Sequence, residues 1–258
     1  MTDFFSVRGF NIVITGANGY LGREQVVAFA KSGANVLAIC RHSELLEKRI
    51  SEEAYSGKIE IAYADCNNEI EIRTAISRFV NLFGRLNGLI NNAYASSRRP
   101  GFDMEIEKIS EILQNSFIQY WTTIRASKPF LNENGASIVN NGSLWGIVSP
   151  NIDMYLDLEN EPSIALVSAK AAVHQLTKYL SVIFAKENIR VNTIVPGMIP
   201  QNRPPERLDY MKELYDRIPM KRIGKPIEIA LPIMFLISNG SSYMTGQELI
   251  IDGGFTTL

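Results

Sequence analysis

Ser143 and Lys170 are the residues of this chain whose types and setting most invite chemistry. Ser143 follows the apolar run 136–140, where a strand should end. Lys170 lies in the apolar stretch 163–186. Partial desolvation there would lower the pKa of the ammonium and let the amine act as a base. Two phenols are in sequence range: Tyr94, after Asn91-Asn92-Ala93, and Tyr155, twelve residues beyond Ser143. Only two histidines and two cysteines exist, so a zinc site or a Ser-His-Asp triad has little material to draw on.

A second constellation sits near the N-terminus. Gly16, Gly19 and Gly22 lie between an apolar run, 10–15, and a helical pattern, 23–31. Glycines at this spacing permit a tight turn and let backbone N–H groups approach a pyrophosphate at the positive end of the helix. Asn18, Tyr20 and Leu21 belong to the same loop. Cofactor choice should be read at the end of the second strand. An acidic residue there would bind a ribose 2′-hydroxyl and repel a 2′-phosphate. This chain has Cys40-Arg41-His42, and the guanidinium of Arg41 offers a fork of donors for a phosphate. NADP(H) is therefore expected over NAD(H). Asp65, with Cys66 beside it, closes the third strand and is placed to accept a hydrogen bond from the adenine amino group.

The elements that must position these groups follow from periodicity. Strands are expected at 10–15, 35–40, 59–64, 89–92, 136–140, 190–195 and 248–251. Helices are expected at 23–31, 43–55 with Ser43 as N-cap, 68–83, 106–127, 163–186, 226–238 and in part of 204–218. Most strands are short continuous apolar runs alternating with helices, the pattern of a parallel sheet covered on both faces. With no repeat, low-complexity segment or linker, residues 1–258 read as one doubly wound α/β domain of Rossmann type. Hydrophobic residues make up 46% of the chain, enough for a sizeable core. The net charge of -1 and the absence of a basic tract argue against nucleic acid or an anionic membrane as partner. The longest apolar run, 229–237, is too short to span a bilayer and contains Pro232. No signal peptide is read at the N-terminus, so a cytoplasmic location with reduced thiols is expected.

Taken together and in order, these landmarks resemble the short-chain dehydrogenase/reductase family over essentially the whole chain. They are residues 15–22, Asp65, Asn91-Asn92-Ala93, Asn115, Ser143, Lys170, Arg190-Val191-Asn192, Pro196-Gly197, Thr245-Gly246-Gln247 and Asp252-Gly253-Gly254. The resemblance is nearest to bacterial proteins of surface-polysaccharide and flagellin-glycan pathways. It rests there on Asn92-Ala93-Tyr94, the long segment before Ser163, and Pro196-Gly197-Met198-Ile199 leading to Gln201-Asn202.

The resemblance implies a sheet of seven parallel strands and a nicotinamide cofactor across the strand ends. Asn92, Ala93, Pro196, Gly197 and Met198 would lie along that cofactor, and Lys170 would hold its ribose. It further implies dimers or tetramers packed through helices 106–127 and 163–186. In the family's reaction a tyrosine, its pKa lowered by the lysine, protonates the alkoxide that forms as hydride is delivered. The serine holds the substrate oxygen and an asparagine holds a relay water. Asn115, Ser143 and Lys170 match three of these roles. The phenol should stand four residues before the lysine, on the same helical face, and that position is Leu166. Three readings stay open: an oxidoreductase whose acid is Tyr155 or Tyr94, a cofactor- or ligand-binding homologue serving as a partner subunit, and a Lys170-based elimination or epimerisation. Substrate loops would offer Tyr94, Ser96, Ser97, Arg98, Arg99, Trp145, Gln201, Asn202, Arg203 and Arg207. Those arginine forks and hydroxyls suit an anionic sugar.

Overall fold

The computed structural model describes residues 3–94, 104–151, 162–200 and 208–258. Seven strands form one wholly parallel sheet: β1 (Asn11–Thr15), β2 (Asn35–Cys40), β3 (Ile59–Tyr63), β4 (Gly88–Asn91), β5 (Ala136–Asn141), β6 (Ile189–Pro196) and β7 (Glu248–Ile251). Their order across the sheet is β3-β2-β1-β4-β5-β6-β7. The chain winds outward from β1 in one direction, returns, and winds out in the other. This reversal opens a crevice at the carboxyl ends of β1 and β4, the place where such sheets bind ligands.

Strand side chains alternate between two cores. Ile12, Ile14, Val36 and Ala38 pack on one face with Phe29 of α1 (Tyr20–Lys31) and with Ile229 and Ile233 of α8 (Ile227–Ile237). Val13, Leu37 and Ile39 pack on the other with Ile72, Ile76 and Phe79 of α3 (Glu69–Phe83) and with Leu180 of α6 (Ile164–Phe184). Burial on both faces is why these strands read as unbroken apolar runs.

Caps set the helix starts. Asn68 accepts from the amides of Ile70 and Glu71 and begins α3. Ser163 accepts from the amide of Leu166 at 3.2 Å and begins α6. Ser43 occupies the N-cap position of α2 (Glu44–Ser51) but caps no amide. Its Oγ donates to Glu47 Oε1 at 2.6 Å and also meets the Tyr63 hydroxyl. This helix ends at Ser51, short of the expected residue 55.

The expected single helix over 106–127 is divided. It runs as α4 (Ile106–Leu113), a π turn (Gln114–Ile118) and α5 (Gln119–Ser127). The extra residue in the π turn widens the helix at Asn115, as commonly happens beside functional sites. Of the stretch 204–218, α7 (Leu208–Arg217) is helical among the described residues. Among those residues no helix is long and apolar enough to cross a membrane.

Candidate active site

The crevice is floored by the glycine loop. Gly16 has φ +64°, and a Cβ there would meet Ala93 Cα at 2.7 Å. A Cβ on Gly22 would press into the Gly16 carbonyl oxygen and lie 3.0 Å from Ala17 Cα. The turn therefore excludes side chains and leaves a backbone cradle. The first intrahelical bond of α1 runs from Arg23 N to Gly19 O. The amides of Tyr20, Leu21 and Gly22 thus have no helical acceptor, and the first turn carries neither a side-chain cap nor an acid. That cradle fits the diphosphate of a dinucleotide. Asn18, predicted in the same loop, spends its side-chain oxygen on the amide of Leu46 at 2.8 Å, tying the loop to α2.

Asn92 braces the loop from the side. Its amide donates to Thr15 Oγ1 at 3.0 Å, and its Nδ2 donates to the carbonyls of Thr15 and Gly16. Its Oδ1 accepts from Gln25 and Asn141. Ala93 N also donates to Thr15 Oγ1. Arg41 stands exposed just past β2 and makes no ion pair among the described residues. Asp65 accepts from Asn67 N at 2.9 Å, and its own amide donates to Glu71. β2 and β3 are neighbours, with Cys40 beside Tyr63 in register, and both thiols are buried and free. Burial pushes Cys40 up to about 11 and Cys66 up to about 12, so both stay protonated and unreactive.

The candidate catalytic groups lie around the end of β5. Lys170 is 5% exposed, and its Nζ donates to the Asn141 carbonyl at 2.7 Å. The ammonium lies 5.4 Å from the Tyr94 ring centroid and 5.5 Å from that of Tyr120. Tyr120 donates to the same Asn141 carbonyl at 3.1 Å. Burial pulls the Lys170 pKa down to about 7 from its ordinary 10.5. Burial also drives the Tyr120 phenol far up, so that group does not ionise. Leu166, one turn before Lys170 in α6, brings no titratable group. Ser143 Oγ accepts from Trp145 N at 3.2 Å, and the Ser143 amide donates to His174 Nε2 at 3.3 Å.

Asn115 sits in the π turn. Its Oδ1 accepts from Asn67 Nδ2 at 2.7 Å, joining the segment after β3 to this helix. Gln119 Nε2 donates to the carbonyls of Asn115 and Ala93. At the far wall, Pro196 ends β6 beside Ile251, and a Cβ on Gly197 would come 2.5 Å from Asp252 Cα. Met198 packs toward Met211 and Leu214 rather than standing free in the crevice. Tyr155 lies outside the described residues, as do Ser96, Ser97, Arg98, Arg99, Gln201, Asn202, Arg203 and Arg207. Among the described residues no group of three or more His, Cys, Asp or Glu is placed to hold a metal.

Sequence reasoning missed His174, Gln119 and the Asn141 carbonyl. His174 had a usable signal, since it lies four residues after Lys170 on the same helical face. A carbonyl acceptor carries no side-chain signature and could not be read.

The chain is similar to known proteins over nearly its whole length. A family profile described as enoyl-(acyl carrier protein) reductase matches residues 16–256. The 3-oxoacyl-(acyl-carrier-protein) reductase of Thermotoga maritima is 30% identical over 94% of this chain and 96% of its own. Galactitol 2-dehydrogenase (L-tagatose-forming) of Cereibacter sphaeroides is 28% identical over 98% of this chain and 97% of its own. A solved short-chain type dehydrogenase/reductase from Mycobacterium marinum superposes with a TM-score of 0.84 at 27% identity, over 99% of this chain and 98% of its own.

Proposed function

The chain belongs to the short-chain dehydrogenase/reductase family, and from that premise we propose that it is an NADP(H)-dependent oxidoreductase acting on an anionic sugar or sugar-like substrate. Its proton comes from a phenol other than the one expected at position 166. When bound, the nicotinamide supplies or accepts the hydride at the reacting carbon. The loop at Gly16, Gly19 and Gly22 holds the diphosphate, Arg41 the 2′-phosphate, and Asp65 with Cys66 the adenine. Ser143 holds the substrate oxygen, Asn115 a relay water, and Lys170 the ribose.

The observation that carries this reading is Lys170. A buried ammonium with no carboxylate partner among the described residues is costly to keep. It is kept beside the cradle, against a phenol ring, where it would lower the pKa of a neighbouring acid. Tyr94 is the described phenol that suits the role. Its ring meets Lys170 and it is 55% exposed. Tyr120 is sealed and committed to Asn141. Tyr155 is the second candidate.

A polyol substrate accords with the likeness to galactitol 2-dehydrogenase. Homodimers or homotetramers would bury the apolar residues left outside on the two long helices: Trp121, Ile164, Tyr179 and Val182. The deciding experiment follows turnover of nucleotide sugars, polyols and apolar ketones while cofactor affinity is titrated by fluorescence. Tyr94→Phe or Tyr155→Phe should abolish turnover and leave NADPH affinity intact. Undiminished turnover in both variants sinks the relocated phenol, and turnover of apolar ketones alone sinks the sugar assignment.

A second reading is favoured by Leu166 itself: a binding homologue without redox chemistry, partnered with an active one. NADPH binding by the parent with turnover appearing only in Leu166→Tyr would establish it. The retained Lys170 also leaves elimination or epimerisation chemistry as the reading to take up if product forms with no change in nicotinamide absorbance.

A further inference from the structure

We infer that His174 is a positioning residue: its neutral imidazole, clamped by Glu248, holds the backbone of Ser143 and so aims the serine hydroxyl. This rests on the oxidoreductase reading, in which Ser143 Oγ meets the substrate. The clamp itself is a matter of geometry.

His174 is 4% exposed and lies one turn beyond Lys170 on the buried face of α6. The helix thus presents two groups to one short stretch. Lys170 reaches the Asn141 carbonyl, and His174 Nε2 accepts from the Ser143 amide at 3.3 Å. Two glycines clear the space for the ring. A Cβ on Gly142 would collide with His174 Nε2 and stand 2.6 Å from Thr193 Cγ2, while one on Gly146 would lie 3.0 Å from the same Nε2. The other ring nitrogen, Nδ1, is 3.3 Å from Glu248 Oε2 at the start of β7. Lys178, one turn further along α6, holds the second oxygen of Glu248 at 2.7 Å.

These contacts admit one tautomer. An imidazole that accepts at Nε2 carries its proton on Nδ1, the atom that faces the carboxylate. Protonation of Nε2 would set an N–H against the N–H of Ser143 and release the turn. The charged groups facing the ring are Glu248 from β7 and Lys170 and Lys178 from α6. Burial, with the two lysines, outweighs Glu248 and holds the imidazole pKa below its ordinary 6.5. The serine turn is therefore in place at neutral pH and loosens in acid. Ser143 Oγ accepts from Trp145 N within the same turn, so movement of the backbone moves the hydroxyl.

The test uses the full chain and reads the clamp without turnover. The protein has two histidines, and His42 is exposed, so two-bond nitrogen–proton NMR resolves both rings. His174 should show the Nδ1–H tautomer and titrate below the ordinary imidazole value of 6.5. Hydrogen exchange at the Ser143 amide should be slow in the parent, faster in His174→Phe, and slow again in His174→Gln, whose amide oxygen can replace Nε2. With a turned-over substrate, His174→Phe should lower kcat about tenfold, as expected for one lost hydrogen bond of about 1.4 kcal/mol, with the cofactor KM unmoved. His174→Gln should recover part of that loss and lack the parent's acid limb below about pH 6.5. An Nε2–H tautomer, or a Ser143 amide that exchanges equally in all three proteins, overturns the proposal. An inactive parent with the Nδ1–H tautomer and a protected Ser143 amide counts against the oxidoreductase reading and leaves the clamp standing.

Discussion

Replacing Lys170 by methionine should stabilise the fold in acid and kill the enzyme. Burial lowers the ammonium from 10.5 to about 7, so the folded chain holds fewer protons than the unfolded chain between those limits. The sign follows from that difference. Where the unfolded state binds more protons, stability rises with pH. The lysine is therefore most costly below about pH 7, and its cost fades as pH climbs toward 10.5. Linkage puts that cost at about 5 kcal/mol at pH 6, about 3 at pH 8 and about 1 at pH 10. Whatever the Asn141 carbonyl and the rings of Tyr94 and Tyr120 give the ammonium raises its pKa, and so lessens the cost and its pH dependence together. Methionine has nearly the same length and does not titrate, and Tyr120 still donates to the Asn141 carbonyl in the variant. Urea unfolding of parent and Lys170→Met at pH 6, 8 and 10 isolates the effect best between pH 8 and 10, above the titration of His174, whose pKa Lys170 helps to lower. The difference in stability should shift by about 4 kcal/mol across that range, with the variant favoured most at pH 6. A difference that stays constant with pH would mean the ammonium is not desolvated. Burial would then give Lys170 no distinctive electrostatic role beside the crevice.

Other outcomes follow from the same geometry. Gly22→Ala drives a methyl into the Gly16 carbonyl and within 3.0 Å of Ala17 Cα. It should cost about 1–3 kcal/mol of stability and abolish NADPH binding by fluorescence titration; full affinity would remove the diphosphate from this loop. Arg41→Glu should weaken NADPH binding at least about tenfold while sparing NADH, since it replaces a phosphate donor by a like charge; an unchanged ratio of affinities would refute the 2′-phosphate assignment. Asn68→Ala removes the acceptor for two amides at the start of α3 and should cost about 1 kcal/mol in urea unfolding; a loss under about 0.3 kcal/mol would mean water replaces the cap.

The sequence by itself determined the architecture, because it rests on local signals. Continuous apolar runs mark strands buried on both faces, and Gly16, Gly19 and Gly22 mark a turn of the kind that lets backbone approach a diphosphate. The strand limits it implies agree with the sheet to within a residue or so. The tertiary structure decided what periodicity cannot encode. A π turn breaks the helix at Asn115, although nothing in the apolar spacing of 106–127 announces an inserted residue. Asn18 and Asn92, read as cofactor contacts, put their side chains into bracing the loop, because their partners lie on strands and helices distant in sequence. Ser43 turns from its own helix to Glu47 and Tyr63 for the same reason. The surroundings of Lys170 were likewise hidden. Its depressed pKa depends on burial by Tyr94, Tyr120 and the end of β5, which meet only when the sheet is assembled, and His174 gains a function only where Ser143 and Glu248 arrive from β5 and β7.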